Sequence, residues 1–138
     1  MNSNKSNGNR FEREFCRMLA GRGFWAHNFA QSPAGQPADI IAVKGKTCWL
    51  IDCKVMSGNY FELSRVEPNQ LTAMDLWTMR CECEPYFAVR LPEGAIRMVG
   101  YSQITEWIAD GVTRVGIPQL TRHSLLFVQW VEGVNKLC

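Results

Sequence analysis

The chain has 138 residues, of which 46% are hydrophobic and 20% are charged, and its formal net charge is +2. This composition is typical of a soluble globular domain with a sizeable core, and no apolar run approaches the roughly 20 residues of a membrane span. Residues 1–10 lack the apolar stretch of a signal peptide, so we expect a cytoplasmic protein.

The N-terminal segment predicts a flexible arm followed by a helix. Residues 1–8 are dominated by Asn, Ser and Gly, which disfavour a packed core, and we treat residues 9–138 as a single domain. Apolar residues then recur at helical spacing, and Gly21 provides a stop signal, so we expect a helix from about residue 9 to 21. The residues of its apolar stripe are Phe11, Phe15, Met18 and Leu19.

Three strands are predicted after this helix. The first, at about 24–31, is followed by a loop over 32–37 that is rich in Pro, Gly and Ser. Two apolar runs, 38–43 and 47–55, flank the turn signal Lys44-Gly45-Lys46 and therefore predict a hairpin. The second run is apolar on both faces, which is typical of a strand in the centre of a sheet.

The second half of the chain predicts a helix, a hairpin and a mixed C-terminal end. Pro68 suits the first turn of a helix. The expected elements are a helix at about 68–80, strands at about 85–91 and 95–101, a short helix at about 102–109 and a strand at about 124–130. This order predicts an α/β fold, with a mixed sheet and helices packed on it.

The strand 47–55 carries two charged residues in a position that calls for an explanation. Because side chains alternate between the faces of a strand, Asp52 and Lys54 share one face with Cys48 and Leu50. Burial of a charge is unfavourable unless the charge is paired or binds a metal. The pattern therefore indicates either an ion pair or a metal site.

A second acid is expected beside Asp52. If the hairpin turn centres near Gly45, Asp39 lies opposite Ile51 or Asp52, and directly opposed Cβ atoms are about 5 Å apart. Two carboxylates at that distance repel each other unless one takes up a proton or a cation binds both. Ligands with oxygen donors alone suit Mg²⁺ or Mn²⁺.

Glu12 is the third candidate acid. It shares a helix edge with Cys16 and Leu19, so it borders the apolar stripe and can approach the sheet. Lys54 can then neutralise charge in the transition state of a phosphodiester hydrolysis. The alternative remains open that Asp52 and Lys54 form an ordinary ion pair and that Asp39 is a turn residue.

Basic residues along the first segment are candidates for contacts with DNA phosphates. These are Lys5, Arg10, Arg13 and Arg17. A solvated helix face is the alternative interpretation, and the proximity of the three acids favours contacts with DNA.

Several of these motifs, taken in order, resemble those of a nuclease superfamily. They are Phe11-Glu12-Arg13-Glu14, Gly23-Phe24, Ser32, Asp39-Ile40 and Ile51-Asp52-Cys53-Lys54. The set is similar to the PD-(D/E)xK nucleases and, more narrowly, to the Holliday junction resolvases of the archaeal and RecU-like types. The resemblance covers about residues 8–80.

The resemblance implies a restriction-endonuclease-like fold with a mixed central sheet flanked by helices. It also implies a homodimer that depends on Mg²⁺, with Mn²⁺ able to substitute, and that makes paired nicks in four-way DNA junctions. Carried over by position, the catalytic residues are Glu12, Asp39, Asp52 and Lys54. The implied metal ligands are Asp39, Asp52, the Cys53 backbone carbonyl and Glu12.

The resemblance also suggests two further DNA-binding residues. Ser32 matches a serine close to the scissile phosphate, and Gln70 matches a position at the start of the helix after the catalytic strand. Three positions depart from the pattern. They are Ala38 in place of the motif proline, Asp52 in place of the commoner Glu, and Asn69 in place of a His.

Two other functions fit the same residues. One is a restriction-like or repair endonuclease that cuts linear duplex DNA. The other is a catalytically silent DNA-binding protein, against which the presence of all four catalytic groups argues.

Overall fold

The computed structural model describes residues 3–29 and 38–137, with side chains from residue 8 onward in the first range. In these ranges the helices are α1 (Ser3–Gly21), α2 (Pro68–Arg80), α3 (Tyr101–Ala109), α4 (Ile117–Arg122) and α5 (Phe127–Leu137). The strands are β1 (Trp25–Asn28), β2 (Ile40–Lys44), β3 (Thr47–Val55), β4 (Tyr60–Glu62), β5 (Tyr86–Arg90), β6 (Ile96–Gly100), β7 (Arg114–Gly116) and β8 (Leu125–Leu126), with a 3-10 turn at Leu63–Arg65. None of the described helices is long and apolar enough to cross a membrane.

The core of the fold is a six-stranded sheet in the order β1-β2-β3-β5-β6-β8. β3 and β5 are parallel, and the other neighbouring pairs are antiparallel. β4 and β7 form a separate two-stranded sheet. The mixed central sheet with helices on both faces confirms the fold class expected from the sequence.

Each face of the sheet buries its own apolar cluster. On one face, α1 and α5 pack against alternate residues of β2 and β3. On the other face, α2, α3 and α4 pack against the intervening residues of β3, β5 and β6. β3 is therefore covered on both sides, as its two-sided apolar pattern predicts.

The β2–β3 hairpin sets the register of the two predicted acids. Its turn contains Gly45, whose φ of 60° lies in the left-handed region that glycine adopts without strain. Ile40 pairs with Ile51, so the next step along the ladder places Asp39 opposite Asp52. The Asp39 amide also donates to the Ile51 carbonyl at 3.2 Å, which continues the ladder by one residue.

The first helix is longer than the sequence pattern predicts. Residues 3–8, expected as a flexible arm, belong to α1. No proline interrupts residues 3–21, and Gly8 is the one residue in 3–8 with a large helix penalty, so the helix continues past the expected start.

The strand predicted at about 124–130 is wrong for most of its length. β8 contains two residues, and α5 begins at Phe127. The buried residues of α5 recur three and four positions apart, which is the helical period. They are Phe127, Trp130, Val131 and Val134. The short elements β4, β7 and α4 were also missed, because each is too brief to show a period.

Candidate active site

Three carboxyl groups and one amine meet where β2 and β3 end beside α1. Asp39 directly precedes β2, while Asp52 and Lys54 lie in β3. The Asp39 carboxyl group lies close enough to those of Asp52 and of Glu12 in α1 to interact with both. The structure thus brings together all four residues that the sequence singled out as catalytic.

Asp39 is anchored to the backbone of the neighbouring strand. Its Oδ2 accepts a hydrogen bond from the Cys53 amide at 2.8 Å. Burial, and next the negative charge of Glu12, raise the pKa of Asp39 to about 6. A carboxyl that ionises with difficulty in the metal-free protein is one that gains from a nearby cation.

Asp52 is the most deeply buried charged residue of the site, with no exposed surface. Its Oδ1 accepts a hydrogen bond from Gln70 Nε2 at 3.0 Å, and its Oδ2 lies 3.0 Å from Lys54 Nζ. Burial, and next the charge of Asp39, raise the pKa of Asp52 to about 8, although Lys54 opposes the shift. Desolvation therefore outweighs the single lysine.

Glu12 reaches the site from the helix side. Its carboxyl group is half-buried, and burial raises its pKa above the ordinary value even though the hydrogen bond with Asp39 opposes the shift. Glu14, two residues further along α1, instead faces Arg90 Nη1 at 3.4 Å. Of these two acids, Glu12 therefore contacts the site, whereas Glu14 is paired with Arg90 outside it.

Lys54 is held by two acceptors. In addition to the ion pair with Asp52, its Nζ donates to Gln70 Oε1 at 3.3 Å. The side chain is 11% exposed, so the amine lies at the edge of solvent. An ammonium in this position can face a phosphate that approaches from outside.

Gln70 lies inside this cluster, a placement that its expected role in DNA binding did not anticipate. It is 8% exposed, and its side chain contacts both Asp52 and Lys54. Its Oε1 also accepts the Glu67 amide at 3.1 Å, which forms half of a capping box at the start of α2. The sequence contains a signal for this capping role, because Glu67-Pro68 followed by Gln70 is typical of a helix start.

The site contains oxygen donors that suit a divalent cation. Asp52 Oδ2 is buried, and apart from the Lys54 ammonium 3.0 Å away it has no hydrogen-bond partner among the described residues. Together with the adjoining Asp39 carboxyl, it offers hard oxygen donors of the kind that Mg²⁺ and Mn²⁺ bind. Within the described ranges, no three acidic, His or Cys side chains already form a complete cation cage. The site therefore fits a cation that takes its remaining ligands from the backbone, water or DNA.

Arg65 is a further charged residue near the site, and sequence analysis missed it. Its Nη1 donates to the Val55 carbonyl at 2.7 Å, one residue beyond Lys54. Burial lowers the pKa of Arg65, and the charge of Asp52 opposes that shift, which places the two groups within electrostatic reach. No motif marked this arginine, because a connecting segment between elements brings it back to β3.

The predicted DNA-binding residues of α1 lie on the surface. Arg10, Arg13 and Arg17 are exposed and are spaced three and four residues apart, so they share one side of the helix. The Lys5 side chain and all of Ser32 lie outside the described residues.

Comparisons with known proteins concern the family and the fold. A family model described as archaeal Holliday junction resolvase matches residues 3–114. Among solved structures, the chain is similar to a Holliday junction resolvase from the archaeal hyperthermophile Archaeoglobus fulgidus. That similarity has a TM-score of 0.68 and 22% identity, and it covers 91% of this chain and 96% of the other. At this identity it shows a shared fold. No curated protein sequence matches the chain.

Proposed function

Because the chain belongs to the archaeal Holliday junction resolvase family, it is a nuclease of branched DNA, and we propose that it cuts four-way junctions at the Glu12–Asp39–Asp52–Lys54 site with Mg²⁺. The main support is that Asp39 adjoins the fully buried Asp52 while a single amine, Lys54 Nζ at 3.0 Å from Asp52 Oδ2, is paired with them. Two adjoining acids with one amine between them carry an excess negative charge when both are ionised, and a divalent cation that binds both would balance it.

Asp39 and Asp52 would hold the cation together with the Cys53 carbonyl, and Glu12 would contribute through a water molecule, since the three acids form no closed cage in the described structure. When bound, Mg²⁺ supplies Lewis acidity toward water and phosphate oxygens. Mn²⁺ prefers the same oxygen donors and should substitute. The Cys53 amide fixes Asp39 through its 2.8 Å hydrogen bond, and Gln70 fixes Asp52, so both carboxylates are oriented before DNA binds.

The remaining groups have roles that follow from charge. Glu12 is half-buried beside Asp39, and burial raises its pKa, which makes its carboxylate a stronger base toward the proton of an attacking water. The water oxygen forms a bond to phosphorus, and the bond from phosphorus to the leaving oxygen breaks; that oxygen departs with the electron pair and takes a proton from solvent. Lys54 Nζ, at the edge of solvent, stabilises the added negative charge on the phosphate.

The proposal includes a homodimer that makes paired nicks, since two symmetric cuts across a junction need two active sites. Selection of branched DNA would then come from the spacing of the two sites and from backbone contacts rather than base readout. Sedimentation in the presence of junction DNA should give a complex of two chains. A single bound chain would contradict paired nicking.

The direct test is cleavage of a synthetic four-way junction and of a matched linear duplex, each with and without Mg²⁺. We expect nicking of the junction with Mg²⁺, little nicking of the duplex, and loss of activity in Asp52→Asn. Glu14→Gln is the matched control, because it changes an acid of the same helix that is paired with Arg90 away from the site. Equal cutting of duplex would favour a restriction-like or repair nuclease. Binding without cutting would favour the silent DNA-binding alternative.

A further inference from the structure

An aromatic ladder, formed by Trp25, His27 and Phe29, runs along the outer edge of the central sheet. Trp25 and His27 belong to the edge strand β1, and Phe29 follows it directly. Alternate residues of a strand share a face. The intervening Ala26 packs in the cluster beneath α1, so the ladder lies on the opposite face of the sheet.

The rings of the ladder are close together and partly open to solvent. Trp25 and His27 stack with centroids 6.0 Å apart and planes 10° from parallel. His27 and Phe29 meet edge to face at 5.7 Å. Trp25 is 60% exposed and His27 is also exposed, while Phe29 is half-buried. An exposed Trp stacked on a neighbour presents a flat apolar surface to solvent.

The Phe29 end of the aromatic ladder adjoins the carboxylate site, which is the cluster of Glu12, Asp39 and Asp52. The Phe29 amide donates to the Asp39 carbonyl at 2.8 Å, so Phe29 lies beside Asp39 across the β1–β2 ladder. Further out, His27 pairs with Ile41 and Trp25 with Val43. Ile41 and Val43 are half-buried, so apolar side chains of β2 adjoin the aromatic ladder.

The length and ends of this surface suit a short stretch of single-stranded DNA. From Trp25 to Phe29 is four residues, or about 13 Å at about 3.3 Å per residue. Stacked nucleotides advance about 3.4 Å each, so the span corresponds to about four bases. The inner end is the proposed cation site. The outer end adjoins the hairpin turn, where Lys46 is exposed and can meet a phosphate.

We propose that the aromatic ladder stacks unpaired nucleobases at the branch point of the junction while the adjoining strand enters the carboxylate site. This inference rests on the proposed function, because it assigns the ladder to the same substrate. Aromatic side chains stack on any base through its π face, so the contact would recognise unpaired bases without sequence preference. A paired duplex hides its base faces, and the ladder would therefore favour branched over linear DNA.

The test compares two substitutions that differ in aromaticity. In EDTA, we would measure the dissociation constants of wild type, Trp25→Phe and Trp25→Leu for a four-way junction and for matched duplex. We expect Trp25→Leu to weaken junction binding about tenfold, while Trp25→Phe stays within about threefold of wild type. Duplex binding should stay unchanged in both. Leu125→Ala, an exposed apolar residue on the opposite edge strand, is the control and should bind as wild type.

A second measurement reads the stack directly. Octathymidylate is added to the protein while its tryptophan fluorescence is followed. The other four tryptophans are more buried than Trp25, so a change in fluorescence should report contact with Trp25. We expect quenching in wild type that is lost in Trp25→Phe. The unchanged unfolding temperature of each variant would show that it is folded.

The outcomes separate this inference from the proposed function. Equal junction affinities for Trp25→Phe and Trp25→Leu, whether both match wild type or both fall, would overturn base stacking. A fall in both with loss of the dimer on sedimentation would instead assign the face to a second copy of this chain. Binding to the aromatic ladder is measured in EDTA and so does not depend on cleavage. If Asp52→Asn still nicked the junction in Mg²⁺, the proposed active site would be wrong, while the binding result for the ladder would stand.

Discussion

The side-chain amide of Gln70 lies 3.0 Å from Asp52 Oδ1 and donates a hydrogen bond to it from the first turn of α2. The carbonyl end of the same side chain accepts the Glu67 amide and Lys54 Nζ. One residue thus links the start of a helix to a buried acid and to the amine beside it. This arrangement makes Gln70 a positioning residue.

We expect Gln70→Ala to slow single-turnover nicking about 10- to 100-fold, as is usual when a partner of a metal-binding carboxylate is removed. The dissociation constant for junction DNA should change little, because the side chain is buried. Gln103→Ala on α3 is the matched control and should nick as wild type. If Gln70→Ala instead weakens DNA binding at an unchanged nicking rate, the residue contacts DNA as the sequence analysis expected.

Asp52→Asn should stabilise the metal-free protein at pH 8. Because burial raises the pKa of Asp52, the folded protein keeps a proton that the unfolded chain releases above about pH 4. The stability that this proton provides is fully present below the pKa of Asp52 in the unfolded chain. It is lost as the pH rises through the folded-state pKa of about 8. The asparagine side chain of Asp52→Asn does not ionise, so the variant avoids this loss. We expect its free energy of unfolding at pH 8 to exceed that of wild type by on the order of 2 kcal/mol.

Urea unfolding in EDTA at pH 4 and pH 8 checks this expectation. The difference between Asp52→Asn and wild type should disappear near pH 4, where both are uncharged at this position. Added Mg²⁺ should stabilise wild type and leave the variant unchanged. A variant that is less stable than wild type at pH 8 would mean that the ion pair with Lys54 outweighs desolvation.

Lys54→Met should abolish most activity while DNA binding persists. The substitution keeps an apolar stem in the β3 face and removes the ammonium 3.0 Å from Asp52 Oδ2. We expect nicking to slow by about 100-fold, the usual effect of losing one preorganised transition-state contact. Quenched-flow nicking measures the rate, and Lys136→Met on α5 is the control. A rate near that of wild type would assign Lys54 to structure alone.

The exposed arginines of α1 should determine how salt affects DNA binding. Arg13 and Arg17 lie on one exposed side of the helix, so each can meet a phosphate. The double substitution to Ala should lower affinity for junction and duplex alike. It should also reduce the slope of log K against log salt by about 0.9 per lost phosphate contact. Arg122→Ala on α4 should leave the slope unchanged, and an unchanged slope in the double variant would indicate a solvated face.

The sequence predicted the geometry around Asp39 and Asp52 because hairpin rules are local. A short turn with Gly45 determines which residues oppose each other, and strand alternation determines the face that Asp52 and Lys54 share. The expected range of β3, 47–55, is the observed one. Long-range contacts are different, since no local pattern could bring Arg65 to Val55 or bury the Gln70 side chain beside Asp52.

The C-terminal end shows why a short apolar run is ambiguous. Residues 124–130 contain enough apolar and β-branched side chains for a strand, and their helical period becomes clear when Val131 and Val134 are included. Packing then decides the outcome. Trp130 stacks with Phe24 at 5.6 Å beneath the sheet, a contact between distant parts of the chain.

Calorimetric titration with Mn²⁺ in the absence of DNA shows whether Asp39 and Asp52 together bind a divalent cation, as proposed here. We expect one class of site in wild type and in Glu14→Gln. Asp39→Asn and Asp52→Asn should each weaken binding by at least about tenfold, since each removes a charged ligand. If both variants bind Mn²⁺ as tightly as wild type, the cation binds elsewhere and these two acids are not its ligands.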